Sequence, residues 1–305
     1  MTTLLLTART DVCSDMLAPY FGSEVVRFDL DFLHHVGFRW SPDGVTLSSR
    51  FIQWREVSAV YWRKPSDPIC HDMPQLERFE LQQRLHVFRS MSAVARKLGI
   101  WHLVDPLHEY KIPKPLQLEC ASGCFQIPSW EISIGGTASI PKPIVSKALA
   151  PVPVKGDRGM VTTKIERPDE LDPRFTWFFQ SAVEAMLDAT VVYCCGAMWG
   201  FALDRPSGAE WIDWRIVMDN HREAAWRRFE VPKPIRQSID AFMRRLGLSY
   251  GRLDFLVDAN EVWWFLEVNP NGQFGWLDPH NANGVLAAVA KNAERKPKKW
   301  VEVES

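Results

Sequence analysis

The sequence lacks a long hydrophobic run, an excess of charge of one sign and a charged tail. Its 305 residues include 36 Lys and Arg against 37 Asp and Glu, which gives a formal net charge of −1. The longest uncharged stretch, 189–203, is shorter than the roughly 20 apolar residues of a membrane span and is interrupted by glycines. These absences exclude a membrane-spanning protein and a generally basic nucleic-acid binder.

We also expect the chain to have no export signal and no disulfide framework. Its start, MTTLLLTARTD, has no basic segment and only a three-leucine apolar core. Among the six cysteines, Cys194 and Cys195 are adjacent, and Cys120 and Cys124 have no second pair that would complete a tetrahedral metal site. We therefore expect reduced thiols and a cytoplasmic protein.

Two further absences concern catalysis. Nothing in the first third resembles a glycine-rich phosphate loop, and no convincing Ser/His/Asp or Cys/His arrangement suggests a covalent nucleophile. At about 150 residues per domain, the length suggests about two domains. Strand and helix patterns alternate, from a strand at Thr3–Thr7 to a long amphipathic helix over 75–98, so we predict an α/β unit.

The rest of the chain mixes short strands and helices. The patterns predict a short helix that starts within 111–118 and stops near Gly123, and a second helix over 234–246 with Gly247 as its cap. They also predict strands at 141–148, 175–183 and 211–217, and a hairpin of 190–195 with 198–203 across Gly196-Ala197.

The most informative segment is GRLDFLVDANEVWWFLEVNPNG, residues 251–272. Two apolar runs flank a turn at 258–261, and a loop of two or four residues would place Val257 opposite Val262. This register gives one wholly apolar face: Phe255, Val257, Val262, Trp264, Leu266 and Val268. The other face carries Asp254, Glu267 and Asn269, with Asp254 opposite Phe265 and diagonal to Glu267.

Carboxylate and amide oxygens are suitable ligands for Mg²⁺, so these three residues form a candidate site for one or two ions. The alternative is a hairpin with polar residues on its solvated face.

At these residues the chain resembles the ATP-grasp superfamily, and LEVNPNGQFGWLD resembles its graspetide synthetases, which cyclise microviridin-type peptides. Other segments agree in order, among them YWRKP, KIPKPLQLECASGCFQIPS, FFQSAVEAMLDATVV and LGLSYGRLDF. The resemblance implies an α/β (α+β) ATP-grasp fold with an N-terminal pre-ATP-grasp α/β domain at 1–108. A central subdomain at 109–182 and a C-terminal subdomain with the metal site at 183–305 would follow.

The resemblance also implies residue roles. Lys147 would neutralise the ATP phosphates, with Lys114 as a second candidate at the nucleotide edge, and Arg215 would contact the transferred phosphoryl group. The hinge, Gln180, Ser181, Ala182 and Val183, would offer backbone groups to the adenine, and Glu184 would reach the ribose. Lys147 has the alternative of a solvated strand lysine, and Arg215 that of an ion pair with Asp213.

Arg63 and Lys64 would contact a peptide, or else form a solvated strand end. One departure from the family pattern is Thr190, which stands where an arginine is usual.

The implied activity is ATP- and Mg²⁺-dependent joining of side-chain carboxylates to hydroxyls or amines within a ribosomal precursor peptide. The expected partner is that peptide, with no nucleic acid, no membrane and a possible homodimer. Two alternatives stay open: a small-molecule carboxylate–amine ligase of the glutathione synthetase type, and a nucleotide-binding protein without catalysis.

Overall fold

The chain consists of three successive sheet regions. A computed structural model describes residues 1–64, 74–106, 111–134, 138–149, 153–154, 158–159, 162–205, 213–214 and 226–295. Its three main sheets lie within residues 1–108, 109–182 and 183–305.

The first sheet is parallel, in the order β2-β1-β6-β7. Its strands are β1 Thr2–Thr7, β2 Glu24–Asp29, β6 Val57–Trp62 and β7 Trp101–His102. Helices α1 (Val12–Leu17) and α2 (Gln75–Lys97) connect these strands, as the periodicity predicted. All six residues of β1 are buried, as expected for a strand inside a parallel sheet.

A small antiparallel sheet is inserted between β2 and β6. The strands are β3 Phe38–Ser41, β4 Gly44–Leu47 and β5 Arg50–Gln53.

The central sheet is antiparallel, in the order β12-β9-β13-β8. It contains β8 Trp130–Ile134, β9 Ile144–Lys147, β12 Thr163–Ile165 and β13 Thr176–Ser181. Helix α3 (Lys114–Ala121) precedes it, with Pro115 in the first turn, where a proline is tolerated. A short pair, β10 Pro153–Val154 and β11 Arg158–Gly159, lies apart from this sheet.

The C-terminal sheet has the order β16-β15-β14-β17-β18 and is antiparallel. It contains β14 Leu187–Cys194, β15 Ala197–Asp204, β16 Arg227–Phe229, β17 Tyr250–Val257 and β18 Trp263–Asn269. Helix α4 (Lys233–Arg245) precedes β17 and ends before Gly247, which has φ +65°, as predicted.

The predicted turn between β14 and β15 was displaced by one residue. The turn consists of Cys195 and Gly196, whose φ angles are 49° and 88°. A two-residue hairpin turn of this type needs positive φ at both positions.

The last helix, α5 (Val285–Glu294), returns to the first sheet. It buries Val285, Leu286, Val289, Ala290 and Ala293 in the same hydrophobic core as β1 and β6. A second core lies between α3, α4 and the C-terminal sheet. Helix α5 therefore packs against the first sheet and stabilises it.

Two further observations concern the cysteines and the helices. The described cysteines, Cys13, Cys120, Cys124, Cys194 and Cys195, are free thiols. Among the described residues, no helix has the length and apolar character needed to cross a membrane.

Candidate active site

A cavity of about 440 Å³ separates the central sheet from the C-terminal sheet. Val145, Lys147 and Gln180 line it from the central sheet, and Asp254 and Glu267 from the opposite one. Its volume lies within the range of about 300–1,000 Å³ that is typical of small-molecule sites. The predicted strand lysine and the predicted carboxylates therefore face one space.

The hairpin β17–β18 brings the two carboxylates directly opposite each other. Asp254 pairs with Glu267, whereas the next position pairs Phe255 with Phe265, so Leu266 is the extra residue of a β-bulge. The predicted register, with Asp254 opposite Phe265, was wrong. Five residues separate Val257 from its partner Trp263. The side chain of Asp258 closes this loop, because it accepts hydrogen bonds from the N–H groups of Asn260 and Val262 at 2.8 and 3.1 Å.

The bulge also changes which apolar residues enter the core. Phe265 is fully buried in the second core and Trp263 packs against it, whereas Leu266 lines the cavity. The predicted apolar face, which contained Trp264 and Leu266, was therefore wrong at these two positions. Asp254 and Glu267 still lie on one face of the hairpin. The five-residue loop and the one-residue bulge each shift the register by one residue, and the two shifts compensate each other.

Glu267 lies among cations. Lys114 Nζ is 3.1 Å from Glu267 Oε2 and also donates to the carbonyl oxygen of Ala148 at 2.9 Å. Burial by itself would raise the pKa of Glu267. The positive charges of Lys114 and Lys147 act in the opposite direction and outweigh burial, so the pKa is held below its ordinary value. Glu267 is thus an anion, with 28% of its side chain exposed.

Asp254 is held by two neighbours. Thr190 Oγ1 donates to its Oδ1 at 2.7 Å, and Arg252 pairs with both carboxylate oxygens at 3.2 and 2.9 Å. Burial by itself would lower the pKa of Arg252. The negative charge of Asp254 outweighs burial and raises this pKa above its ordinary value. Thr190, where the resemblance predicted an arginine, therefore contacts the first predicted metal ligand.

The third predicted ligand is at the end of β18. In the strand register, Asn269 lies opposite Arg252. The side-chain oxygen of Asn269 accepts a hydrogen bond from the Asn271 N–H at 3.1 Å, which leaves one lone pair of this oxygen available. Helix α3 fixes this strand through Gln117, which donates to the Ile112 oxygen at 3.0 Å and accepts from the Val268 N–H at 2.9 Å.

A buried ion pair lies beside the carboxylates. Arg205 donates to both oxygens of Asp188 at 2.7 and 2.9 Å, and their side chains are 10% and 7% exposed. Burial raises the pKa of Asp188 above its ordinary value although Arg205 opposes this effect, and Asp213 and Asp254 add repulsion. The cavity therefore concentrates carboxylates together with arginines.

The predicted hinge is partly in place. Gln180, Ser181, Ala182 and Val183 line the cavity, whereas Glu184 is exposed and lies outside its described lining. The N–H groups of Ser181 and Ala182 already donate to Ser129 and Pro143, at 2.8 and 2.7 Å. Within the described ranges, the Val183 N–H makes no hydrogen bond, so it is the available backbone donor.

Arg215 and most of the predicted strand 211–217 lie outside the described residues. The two described residues of that segment, Asp213 and Trp214, belong to no strand and line the cavity. The Thr162 N–H donates to Asp213 Oδ2 at 2.9 Å.

Arg63 and Lys64 have different environments. Lys64 lines the cavity. Arg63 is fully buried and donates to Asn271 and Gln273, so neither predicted alternative, a solvated strand end or a peptide contact, fits its side chain here. The reason is that β6 ends against the loop after Asn269, which covers the guanidinium.

Arg205 and Arg252 are the functional candidates that the sequence missed. Arg252 had a usable signal, since it lies two residues before Asp254 and therefore on the same face of the strand. Arg205 had a weaker signal, because its contact with Asp188 follows only when the predicted pairing of β14 with β15 is continued beyond residues 190 and 203.

No protein-family model matches the sequence, and no curated protein does. Solved structures match over nearly the whole chain. The macrocyclase MdnC from Microcystis aeruginosa, bound with precursor peptide MdnA, has a TM-score of 0.78 at 23% identity, covering 96% of this chain and 99% of its own. An ATP-grasp ligase from Chryseobacterium gregarium, in complex with ADP and a leader and core peptide, has 0.78 at 19%, covering 99% of both chains.

The ATP-grasp ligase PsnB, complexed with a minimal precursor, Mg and ADP, has a TM-score of 0.69 at 16% identity, covering 96% of both chains. The fold is that of the ATP-grasp ligases. This confirms the predicted α/β class and ATP-grasp architecture, and the cavity lies between the two sheets that follow the N-terminal sheet of this fold.

Proposed function

We propose that this chain is an ATP-dependent ligase that joins side-chain carboxylates of a ribosomal precursor peptide to hydroxyls or amines of the same peptide. The observation that carries the proposal is the facing pair Asp254–Glu267, on a cavity that Lys114, Lys147 and Arg252 also line. Similar structures contain ADP and precursor peptides, and their fold supports the same use of this cavity.

The residues present fit ATP and Mg²⁺. The donor set is hard and oxygen-based, and the buried carboxamide of Gln180 at the hinge has no hydrogen-bond partner in the described structure. Asp254, Glu267 and Asn269 would hold the metal, and two ions are proposed. When bound, Mg²⁺ supplies charge stabilisation at the phosphate oxygens. Within the described ranges, no three His, Cys, Asp or Glu side chains converge, so the site depends on two carboxylates and an amide.

The chain's own residues perform the remaining tasks. Lys147 and Lys114 would bind the phosphates, and Arg252 and Arg215 would stabilise charge that develops on the transferred phosphoryl oxygens. A peptide carboxylate attacks the γ-phosphorus and displaces ADP. A hydroxyl or amine then attacks the acyl carbon, loses its proton and displaces inorganic phosphate. Exclusion of water from the cavity during the reaction would protect the acyl phosphate from hydrolysis.

The experiment is incubation of the enzyme, ATP and Mg²⁺ with the peptide encoded beside its gene, followed by mass spectrometry. The proposal expects masses lowered by whole numbers of water, with one ADP formed for each water lost. Mild base reopens esters and leaves amides, which identifies the nucleophile. A peptide that gains an amino acid supports the small-molecule ligase alternative. An unchanged peptide with no ATP consumed supports the non-catalytic alternative and contradicts the proposal.

A cytoplasmic location, a homodimer and a peptide contact at Lys64 stay predictions.

A further inference from the structure

Three tryptophan side chains meet beside the cavity of the candidate active site. The ring centroids of Trp214 and Trp226 are 5.4 Å apart, and that of Trp276 lies 5.1 and 5.4 Å from them. Trp214 and Trp226 line the cavity, whereas Trp276 lies outside its described lining. All three are half-buried. Two indoles therefore border the cavity, and neither the predicted metal site nor the predicted hinge uses them.

The two indoles that line the cavity form a corner. The planes of Trp214 and Trp226 are 86° apart, and Trp276 packs against both, at 31° and 69°. The backbone next to Trp276 is tightly packed, because a Cβ added at Gly275 would lie 2.6 Å from Met16 Sδ in α1. Trp276 is therefore a fixed support for the corner, and the two aromatic walls are held in place without a ligand.

The corner lies on the side of the cavity that adjoins the first sheet. Trp226 and Trp276 pack against the hydrophobic core of β1 and β6, whereas the predicted hinge continues β13 of the central sheet. Asp213 directly precedes Trp214, is 5% exposed and lines the same cavity. A carboxylate therefore accompanies the two aromatic walls, on a side of the cavity away from the hinge.

An ammonium group fits this combination of walls. The quadrupole of an aromatic ring attracts a cation, tryptophan attracts it most strongly, and cages of several aromatic rings are a recurring site for ammonium groups. A carboxylate at the edge of the same cavity adds a direct charge attraction, which is stronger near protein than in bulk water. A hydroxyl group carries no net charge and gains neither attraction. The corner therefore distinguishes the two nucleophiles that the proposed function leaves open.

We propose that the corner of Trp214 and Trp226 binds the ammonium group of a lysine in the precursor peptide, so that the crosslinks are amides. This inference rests on the proposed ligase function. The ammonium first loses one proton to water. Nζ then attacks the acyl carbon, the C–N bond forms, the C–O bond to phosphate breaks, and the second proton leaves on inorganic phosphate. Serine and threonine hydroxyls are not recognised at the corner.

The first test compares n-butylammonium with 1-butanol, which have the same number of heavy atoms and differ in charge. NMR titrations measure their affinities for the full chain, with Mg²⁺ and a non-hydrolysable ATP analogue present. The wild type should bind n-butylammonium about tenfold more tightly than 1-butanol. In Trp214→Leu this ratio should fall to about twofold, because leucine keeps an apolar wall but has no aromatic face. Trp214→Phe should give an intermediate ratio.

Trp40→Leu is the control variant, because Trp40 is half-buried in β3 of the inserted sheet and lies outside the described lining of the cavity. It should preserve the wild-type ratio. If Trp214→Leu does not fold, Trp226→Leu replaces it, since Trp226 forms the other wall. A wild-type ratio in the folded leucine variant overturns the inference. A ratio that is lost in Asp213→Asn but retained in that leucine variant also overturns it, because the carboxylate alone would then bind the ammonium.

The second test examines the product formed from the peptide encoded beside the gene. With wild-type enzyme, ATP and Mg²⁺, the crosslinks should survive mild base, and tandem mass spectrometry should place them at lysine. Replacing the lysines of the peptide with arginine keeps the charge and should abolish the loss of water. A peptide without lysine, or crosslinks that mild base reopens, overturns the inference while leaving the proposed function intact. A peptide that loses no water, with no ATP consumed, contradicts the proposed function, and the inference falls with it.

Discussion

Arg63 donates to the backbone oxygen of Asn271 at 2.8 Å and to its side-chain oxygen at 2.9 Å, across 208 residues of chain. Its second terminal nitrogen donates to Gln273 Oε1 at 2.8 Å, and its Nε lies 3.4 Å from Asp11 Oδ2. Asn271 follows the predicted metal ligand Asn269 by two residues. The guanidinium therefore ties the end of β6 to the loop that ends the candidate metal site.

Arg63→Met should lower the free energy of unfolding by about 3 kcal/mol, because it leaves Asp11 buried without its cation. Urea unfolding measures this loss, and Arg63→Met combined with Asp11→Asn should recover part of it. The control is Arg50→Met, which breaks an exposed pair with Glu24 and should change stability much less. Equal effects in the two variants would contradict a structural role for Arg63.

Glu267→Gln should reduce ATP turnover by about a hundredfold or more while leaving the melting temperature within a few degrees, because it removes a metal-binding charge at constant shape. The assay measures ADP release against Mg²⁺ concentration. Glu261→Gln, in the exposed turn of the same hairpin, is the control and should behave as the wild type. Unchanged turnover in Glu267→Gln at saturating Mg²⁺ would remove Glu267 from the site.

Thr190 and Arg252 bond to the same oxygen of Asp254, so a cation at either position reaches that carboxylate. Arg252→Met should lower kcat by about tenfold. Thr190→Arg alone should lower stability, since it adds a buried charge beside Arg252. In the Arg252→Met background, the same change should restore part of kcat. If the double variant is no better than Arg252→Met, Arg252 does not supply the charge of the missing arginine.

The hairpin illustrates what the sequence could predict and what it could not. Period-two alternation is a local property, so the sequence was enough to place Glu267 and Asn269 on one face of their strand, whereas the pairing of Asp254 with Glu267 depends on the loop and the bulge. The bulge at Leu266 depends on core packing of Phe265 and on the loop that Asp258 closes, and neither is visible in the pattern.

The basic residues show the same division. Lys147 lies on the predicted strand and lines the cavity, whereas Arg63 is buried by a loop that begins more than two hundred residues later. A charged residue near a strand end is ordinarily solvated, and only the tertiary contact with Asn271 and Gln273 reverses that expectation.

His102 makes stability depend on pH. Burial lowers the pKa of this side chain to about 4, and its Nδ1 donates to the Ile100 oxygen at 2.9 Å, so the folded protein holds a neutral ring. The unfolded chain binds a proton at a pKa near 6.5, so stability should fall by about 3 kcal/mol as pH decreases from about 6.5 to 4. Melting curves should show a shallower pH dependence in His102→Asn, which retains a donor near Nδ1. An unchanged slope would mean that another group titrates.

The most direct test of carboxylate activation follows oxygen atoms. The precursor peptide is prepared with isotopically heavy oxygen in its Asp and Glu side chains and is converted with ATP and Mg²⁺. If each carboxylate is activated as an acyl phosphate, one heavy oxygen passes to inorganic phosphate for every crosslink, and mass spectrometry of the phosphate detects it. Crosslinked peptide accompanied by phosphate without the heavy oxygen would contradict the account.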